Sequence, residues 1–142
     1  MKHFQVYELV DQKTYEDMGD NALSLFTPQI LVALDNVREY FNVPITVNNW
    51  HEGGQFQWRG YRTVEAAHKL GSPTGHEQHQ AGNAFDFDVE GWTADMARRR
   101  ILLDVDNPLL ANITRIEAGV NWIHMDCKEL IPPQTRIHFF VA

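Results

Sequence analysis

Residues 84–89, Ala-Phe-Asp-Phe-Asp-Val, alternate aromatic and acidic side chains. Successive side chains of a β-strand point to opposite faces, so this segment is predicted to form a strand with two chemically different faces. Phe85 and Phe87 would lie on the face that is buried. Asp86 and Asp88 would lie on the opposite face, where both carboxylates point toward a common site.

The rest of the chain predicts a mixture of helices and strands. Thr27 and Pro28 are typical of a helix start, with the threonine as N-cap and the proline at the first helical position. Apolar residues at helical spacing follow as far as about residue 41. The predicted helices are 28–41, 63–70 (closed by Gly71 and Pro73) and 94–103, and the predicted strands are 45–50, 84–89, 113–117, 122–127 and 136–141.

The order of these elements predicts the fold class. Helices and strands do not alternate regularly, and the last strands are predicted to be joined by hairpins, with a turn at Ala118-Gly119. This order predicts an α+β fold with a small antiparallel sheet and flanking helices. The 142 residues contain no internal repeat and no long linker, so we expect a single domain over residues 1–142.

Residues 122–126, Trp-Ile-His-Met-Asp, show a second alternation. Trp122, His124 and Asp126 are predicted to share one face of a strand, while the isoleucine and the methionine pack behind it. Asp126, like Asp88, could orient the imidazole of a metal ligand, or it could be only a polar residue of its strand.

Two histidines and one carboxylate from these segments form a candidate metal site. If the two strands lie near each other, His79, Asp86 and His124 can converge, and His76 could be an additional site residue. This ligand set suits zinc, and three protein ligands leave a fourth position for water, as in catalytic zinc sites. Cys127 is the single cysteine, so any metal must be held by histidine and carboxylate.

A zinc hydrolase also needs a carboxylate that takes a proton from the attacking water. Glu117 is the candidate, because a hairpin turning at Gly119 would bring it beside the second strand. An arginine can stabilise a developing oxyanion or bind an anionic end of the substrate. Arg62 and Arg59 are the candidates for these roles, and Trp122 is a candidate substrate-binding residue.

These segments resemble the motifs of zinc peptidases that act on peptidoglycan stem peptides. That family contains D-Ala-D-Ala carboxypeptidases and L-alanyl-D-glutamate endopeptidases, and it shares a fold with the hedgehog signalling domain. Its motif Ser-x-His-x-x-Gly-x-Ala-x-Asp is matched by residues 77–86, Glu-Gln-His-Gln-Ala-Gly-Asn-Ala-Phe-Asp, at every fixed position but the first. Its aromatic-x-His motif is matched by residues 122–124, and its upstream Tyr-Arg by residues 61–62.

The resemblance covers roughly residues 28–127 and implies a hedgehog-like or D,D-peptidase-like fold. It implies that His79, Asp86 and His124 bind one zinc ion and that Arg62 contacts the substrate carbonyl. The implied activity is hydrolysis of a peptide bond in peptidoglycan, and a lone domain of this kind suggests a phage or prophage endolysin.

The chain departs from the family pattern at three positions. Glu77 replaces the usual serine, and Asn121 stands where several members carry an acidic residue. Other members have a histidine at the position of Trp122. Glu117 is therefore expected to supply the base.

Composition restricts the partners. The formal net charge of −7 argues against a general nucleic-acid binder, and no apolar run approaches the roughly 20 residues that span a bilayer. Residues 1–8 do not have the apolar stretch of a signal peptide. We expect a monomer that is made in the cytoplasm, binds neither nucleic acid nor membrane, and reaches the wall during phage lysis or on a virion.

Two alternatives remain open from the sequence. In the first, the domain is a non-catalytic binding module of the same fold, which zinc stabilises and whose cleft recognises a ligand. In the second, His124, Asp126 and His138 form a facial triad for non-haem iron.

Overall fold

The computed structural model describes residues 1–71 and 77–142, which have an α+β fold with four α-helices and a five-stranded sheet. The helices are α1 (Gln12–Met18), α2 (Pro28–Phe41), α3 (Val64–Lys69) and α4 (Ala94–Leu103). The strands are β1 (Ile45–Thr46), β2 (Ala84–Val89), β3 (Arg115–Glu117), β4 (Ile123–Asp126) and β5 (His138–Phe140). Short 3-10 helices lie at Val6–Glu8, Gly19–Leu25, Trp50–Glu52 and Pro108–Leu110.

The three predicted helices are confirmed, and each begins at a threonine that caps it. The side chains of Thr27, Thr63 and Thr93 accept hydrogen bonds from the backbone N–H three residues later, which satisfies one donor of each first turn. Helix α2 ends at Asn42, which has a φ of 53°. Helix α1 was not predicted, although Asp11 caps it in the same way.

The predicted end of α3 falls next to the part of the chain that is not described. The helix stops at Lys69, and Gly71 follows with a φ of 84°, a left-handed conformation that glycine adopts without strain. Pro73, the other predicted stop signal, lies outside the described residues. The same holds for His76, the additional candidate site histidine.

The sheet is mixed rather than antiparallel, so the predicted sheet type is wrong in part. Its strand order is β1-β2-β4-β3-β5, and the first three neighbouring pairs are antiparallel, as predicted. Strand β5, however, runs parallel to β3. Strands β2 and β3 already pair with the two edges of β4, so β5 pairs with the free edge of β3 instead. Both β3 and β5 run antiparallel to β4, and they are therefore parallel to each other.

The strand predicted at 45–50 is also shorter than expected, because β1 contains only Ile45 and Thr46. Side chains beyond it bond to another segment instead of continuing along the sheet. The Asn48 amide and the Trp50 indole both donate to the backbone carbonyl of Val10, at 3.1 and 2.8 Å. These bonds hold the chain beside the N-terminal segment, where Trp50 begins a 3-10 helix.

One hydrophobic cluster lies behind the sheet and confirms both predicted alternations. Phe85 and Phe87 are fully buried, and Ile123 and Met125 are each 1% exposed. The opposite faces of β2 and β4 are therefore free to carry polar side chains toward a common site. Among the described residues, no helix has the length and apolar content needed to cross a bilayer.

Candidate metal centre

Three predicted ligands converge on the face of the sheet opposite the core. His79 lies in the turn before β2, and Asp86 and His124 are direct cross-strand partners in β2 and β4. All three are buried, with exposed fractions of 3%, 6% and 7%. One ligand atom from each lies within 4.8 Å of those of the other two, so this group could hold a metal ion.

Each histidine is oriented by a hydrogen bond on the far side of its ring. Nδ1 of His79 donates to the Gly60 carbonyl at 2.8 Å, and because a carbonyl only accepts, the proton is on Nδ1. Nε2 of His79 then faces Oδ1 of Asp86 at 3.3 Å. Nε2 of His124 lies 3.0 Å from Asp126, and its Nδ1 lies 2.8 Å from Oδ1 of Asp86. Nε2 of His79, Oδ1 of Asp86 and Nδ1 of His124 thus face one another, and each can offer a lone pair to a metal once Nδ1 of His124 has lost its proton.

The partner of His124 is itself held in place. Asp126 is fully buried, and Arg115 donates to both of its carboxylate oxygens, at 2.9 and 2.7 Å. The backbone N–H of Lys128 adds a third bond to Asp126, at 3.1 Å. Such outer partners fix the tautomer and orientation of a ligand imidazole. The sequence predicted this role for Asp126 only as an alternative and did not identify Arg115, whose partner lies across the β3–β4 pair.

We expect Asp126→Asn to lower metal affinity by about tenfold to a hundredfold, because an amide orients the His124 ring less strongly than a carboxylate. Competition with a chromogenic chelator measures the change. Asp88→Asn is the matched control, since this carboxylate is on the same face of the sheet but pairs with Arg59. An equal loss in both variants would contradict the orienting role.

Opposite charges hold the cluster together. Burial lowers the pKa of His124, but hydrogen bonds with Asp126 and Asp86 outweigh burial and raise that pKa to about 9. Burial raises the pKa of Asp86, yet electrostatic attraction and hydrogen bonds to His79 and His124 bring that pKa well below its usual range. The pKa of Asp126 falls to about 2 by the same balance, with His124 and Arg115 as partners. A metal ion must displace the proton on Nδ1 of His124, so acid weakens metal binding.

Arg62 contacts the site through Asp86, one of the three candidate ligands. Its Nη2 donates to Oδ2 of Asp86 at 3.1 Å, its Nη1 to Glu77 at 2.8 Å, and its Nε to the Trp58 carbonyl at 2.7 Å. Arg62 therefore orients the carboxylate oxygen that does not face the histidines. Glu77 was noted in the sequence only as a departure from serine. Its contact with an arginine fifteen residues earlier in the chain was not predicted.

An open pocket of about 460 Å³, called here the metal pocket, lies at this cluster. Its lining includes the three candidate ligands together with the predicted residues Arg62, Glu117 and Trp122. Glu117 is half-buried at the end of β3, and its carboxylate makes no hydrogen bond or ion pair with any other described residue. The structure thus brings the three candidate ligands, Arg62, Glu117 and Trp122 to one pocket, and of the described candidates for ligand, base and substrate contacts only Arg59 lies outside it.

Arg59 lies in an adjoining groove of about 460 Å³, called here the Arg59 groove, which shares Asp86 and Trp122 with the metal pocket. Its guanidinium is 2.9 Å from Asp88 and 4.3 Å from the ring centre of Phe56. Asp88, the other candidate for orienting a ligand imidazole, thus pairs with an arginine instead.

The iron alternative is not supported by the described residues. The group of three that could hold a metal contains neither Asp126 nor His138. Asp126 is instead bonded to Arg115 and to the far side of the His124 ring. His138 starts β5, on the other side of β3 from β4.

The loop that carries His79 depends on Gly82. This glycine has a φ of 66°, and a Cβ built on it would overlap the backbone carbonyl of Leu25. Its carbonyl accepts a hydrogen bond from the N–H of Thr27 at 2.9 Å, and its N–H donates to the His79 carbonyl at 3.1 Å. Only a residue without a side chain allows this close approach at a positive φ. The conformation of the loop therefore requires the glycine of the motif at position 82.

Comparisons with models of protein families, with curated proteins and with solved structures find no match to this chain. The likeness to the peptidoglycan peptidases therefore depends on the motif residues, three of which the structure brings together at the metal pocket. The α+β class is confirmed, whereas the hedgehog-like fold stays a prediction.

Proposed function

We propose that the protein is a zinc-dependent hydrolase that cleaves a peptide bond in peptidoglycan stem peptides. The observation that carries this proposal is the arrangement of His79, Asp86 and His124, whose ligand atoms lie within 4.8 Å of one another beside an open pocket. A purely structural metal site would be closed, with four protein ligands. Among the described residues this group supplies three, and the pocket gives a substrate access to them.

Zinc is the metal that suits this donor set best. Two imidazole nitrogens and a carboxylate oxygen form the ligand combination of many zinc hydrolases. Both imidazoles also have an acceptor on the far ring nitrogen, the Gly60 carbonyl for His79 and Asp126 for His124. Such bonds raise the basicity of the ligands and hold the rings in place.

The residues of the pocket have separate tasks in this mechanism. Bound zinc would lower the pKa of a water molecule to about 7 and polarise the scissile carbonyl. Glu117 takes a proton from the attacking water and passes it to the leaving amine, the part of a general base and acid. Arg62 keeps Asp86 in place and offers positive charge to the substrate carbonyl, and Trp122 forms a wall against which the substrate packs.

The substrate class follows from the motifs. Residues 77–86 and 122–124 resemble those of peptidases that act on stem peptides of the bacterial wall. We propose that the protein meets this substrate during phage lysis or as part of a virion. The bond could be D-Ala-D-Ala or L-Ala-D-Glu, since both classes of enzyme carry these motifs.

A second candidate function is a zinc-stabilised binding domain without catalysis. The observation that favours it is the engagement of Arg62, which has three hydrogen bonds inside the protein, two of them to carboxylates. An arginine neutralised in this way offers less charge to a substrate. Asn121 favours the same candidate function, because several members of the peptidase family that the motifs resemble carry an acidic residue at this position.

The variant Glu117→Gln distinguishes the two functions. We expect it to slow cleavage of stem peptides by about a hundredfold to ten-thousandfold, the usual contribution of a general base, because the amide cannot take the proton. Zinc content and folding should not change, because Glu117 is neither a ligand nor part of the core. Mass spectrometry of the peptide products measures the rate, and elemental analysis measures the zinc.

Glu129→Gln is a matched control, since it removes an exposed carboxylate from the segment after β4. Its cleavage rate should equal that of the unmodified protein. If Glu117→Gln cleaves as fast as this control, Glu117 is not the base. If neither protein cleaves while both contain one zinc per chain, the binding domain is the better assignment.

A further inference from the structure

The Arg59 groove lies on the same face of the sheet as the candidate ligands. Asp86 and Asp88 are two residues apart in β2, so their side chains share that face. The backbone N–H of Asp86 donates to the Arg59 carbonyl at 2.7 Å, which places Arg59 alongside β2. The groove and the metal pocket also share Asp86 and Trp122 in their linings. A ligand in the groove would therefore lie beside the candidate metal ligands.

The guanidinium of Arg59 is buried but only partly paired. Its side chain is 10% exposed, and its Nη1 donates to Asp88 at 2.9 Å. One face of the guanidinium packs on the ring of Phe56, at 4.3 Å from the ring centre. Its Nε and Nη2 make no hydrogen bond with any residue that the structure describes. These two nitrogens form one edge of the planar guanidinium, so one edge of a largely buried cation is open.

The other arginines of the site have partners on this edge. Arg115 uses Nε and Nη2 to hold both carboxylate oxygens of Asp126, at 2.9 and 2.7 Å. Arg62 uses the same two nitrogens for a backbone carbonyl and for a candidate ligand. Of the described arginines that line the two hollows, Arg59 alone has this edge without a partner. The pair of Arg115 with Asp126 shows which group the edge fits, a carboxylate held by two parallel hydrogen bonds.

We propose that the Arg59 groove is a carboxylate-binding subsite, in which Nε and Nη2 of Arg59 hold a free carboxylate of the peptide substrate while a neighbouring peptide bond lies at the metal pocket. This inference rests on the proposed function, because it specifies which group of the substrate lies beside the scissile bond. Two carboxylates of stem peptides have the required chemistry. They are the α-carboxylate of D-Glu and the C-terminal carboxylate of D-Ala.

The surroundings of Arg59 favour a carboxylate over a neutral group. A carboxylate offers one oxygen to each open nitrogen, and hydrogen bonds between two ionised groups are the strong ones. Phe56 and the walls of the groove shelter the guanidinium from water, which strengthens such bonds further. Asp88 does not fill this role, because it bonds to Nη1 only and its side chain is 52% exposed. Arg59 thus has both the charge and the free donors to bind an anionic group.

Calorimetric titration of zinc-loaded protein with two pairs of peptides tests the subsite. The protein carries Glu117→Gln, so that the peptides are not cleaved. The first pair is L-Ala-γ-D-Glu-L-Lys with the α-carboxylate of D-Glu free or amidated, and with an amidated C-terminus in both peptides. The second pair is N-acetyl-L-Lys-D-Ala-D-Ala with the C-terminus free or amidated. In one pair or in both, we expect the acid to bind about tenfold to a hundredfold more tightly than its amide. The pair that shows the difference identifies the carboxylate.

Substitutions at Arg59 and Asp88 separate binding of the substrate from a structural role. Arg59→Gln should remove the preference for the acid. Arg59→Lys should remove most of it, because an ammonium keeps the charge but has no edge with two parallel N–H groups. Both variants should fold, since Asn48 and Asp86 bond to the backbone of Arg59 and not to its side chain. Asp88→Asn should bind the acid at least as tightly as before, whereas a purely structural pair would make it behave like Arg59→Gln.

Arg99→Gln is the matched control, because it removes an exposed arginine outside both hollows, and its preference should not change. Three results would overturn the subsite: no binding of any peptide, equal binding of acid and amide in both pairs, or a preference that persists in Arg59→Gln. The last result would assign the carboxylate to the metal ion. Cleavage by the unmodified protein without a preference for the acid would refute the subsite and not the peptidase. A preference that depends on Arg59, without cleavage, would refute the peptidase and not the subsite.

Discussion

The variant His124→Ala is expected to lose bound zinc and peptide hydrolysis together. Structural zinc sites gain about 10–16 kcal/mol from roughly four protein ligands, so one ligand accounts for about 2.5–4 kcal/mol, or about a hundredfold to a thousandfold in affinity. His124 also separates two buried carboxylates, since its ring bonds to Asp86 on one side and to Asp126 on the other. Removing the ring leaves both without that partner, which adds to the loss.

Equilibrium dialysis against buffered zinc, followed by elemental analysis, measures the affinity, and circular dichroism shows whether the variant folds. His138→Ala is the matched control, because His138 lies on β5 and is not one of the candidate ligands. It should bind one zinc per chain. If His124→Ala unfolds, His124→Gln keeps a side-chain amide near Asp126 and allows the comparison. A folded His124 variant with unchanged zinc affinity would show that His124 is not a zinc ligand.

A large loss of stability is expected for Gly82→Ala, although this residue touches neither metal nor substrate. An alanine at its φ of 66° costs about 1–2 kcal/mol, and the overlap of its Cβ with the Leu25 carbonyl adds about 1–3 kcal/mol. The total is about 2–5 kcal/mol, which corresponds to a melting temperature lower by roughly 7–17 °C. Because the Gly82 N–H bonds to the His79 carbonyl, zinc affinity should fall as well.

Gly91→Ala is the control that separates the two causes. Gly91 has a φ of 78°, but a Cβ built on it meets no atom within 4 Å. Its substitution should therefore cost only the conformational part, about 1–2 kcal/mol. Urea unfolding of the two variants gives both free energies. Equal losses would show that the contact with Leu25 does not constrain the loop.

Local patterns in the sequence were sufficient to predict much of the fold and the three candidate ligands. The alternation of Phe85 and Phe87 with Asp86 placed the carboxylate opposite the core, because side-chain direction in a strand follows from position alone. The threonine caps located three helices for a similar reason, since capping involves residues only three apart. The convergence of His79, Asp86 and His124 followed once β2 and β4 paired.

Features that depend on distant residues were not predicted. The Arg115–Asp126 pair arises from the register of β3 and β4, which a single sequence does not reveal. The parallel position of β5 depends on which sheet edges are already filled. Glu77 differs from the family serine, and its contact with Arg62 requires the loop before β2 to lie beside the segment before α3. In each case the determining partner is far along the chain.

Incubation of the zinc-loaded protein with purified peptidoglycan, followed by mass spectrometry of the released fragments, tests the peptidase most directly. The account predicts new peptide ends that appear with zinc, disappear after EDTA treatment and return when zinc is restored. The mass of the fragments identifies the bond. Absence of new ends across walls of several types, from folded protein with one zinc per chain, would contradict the account.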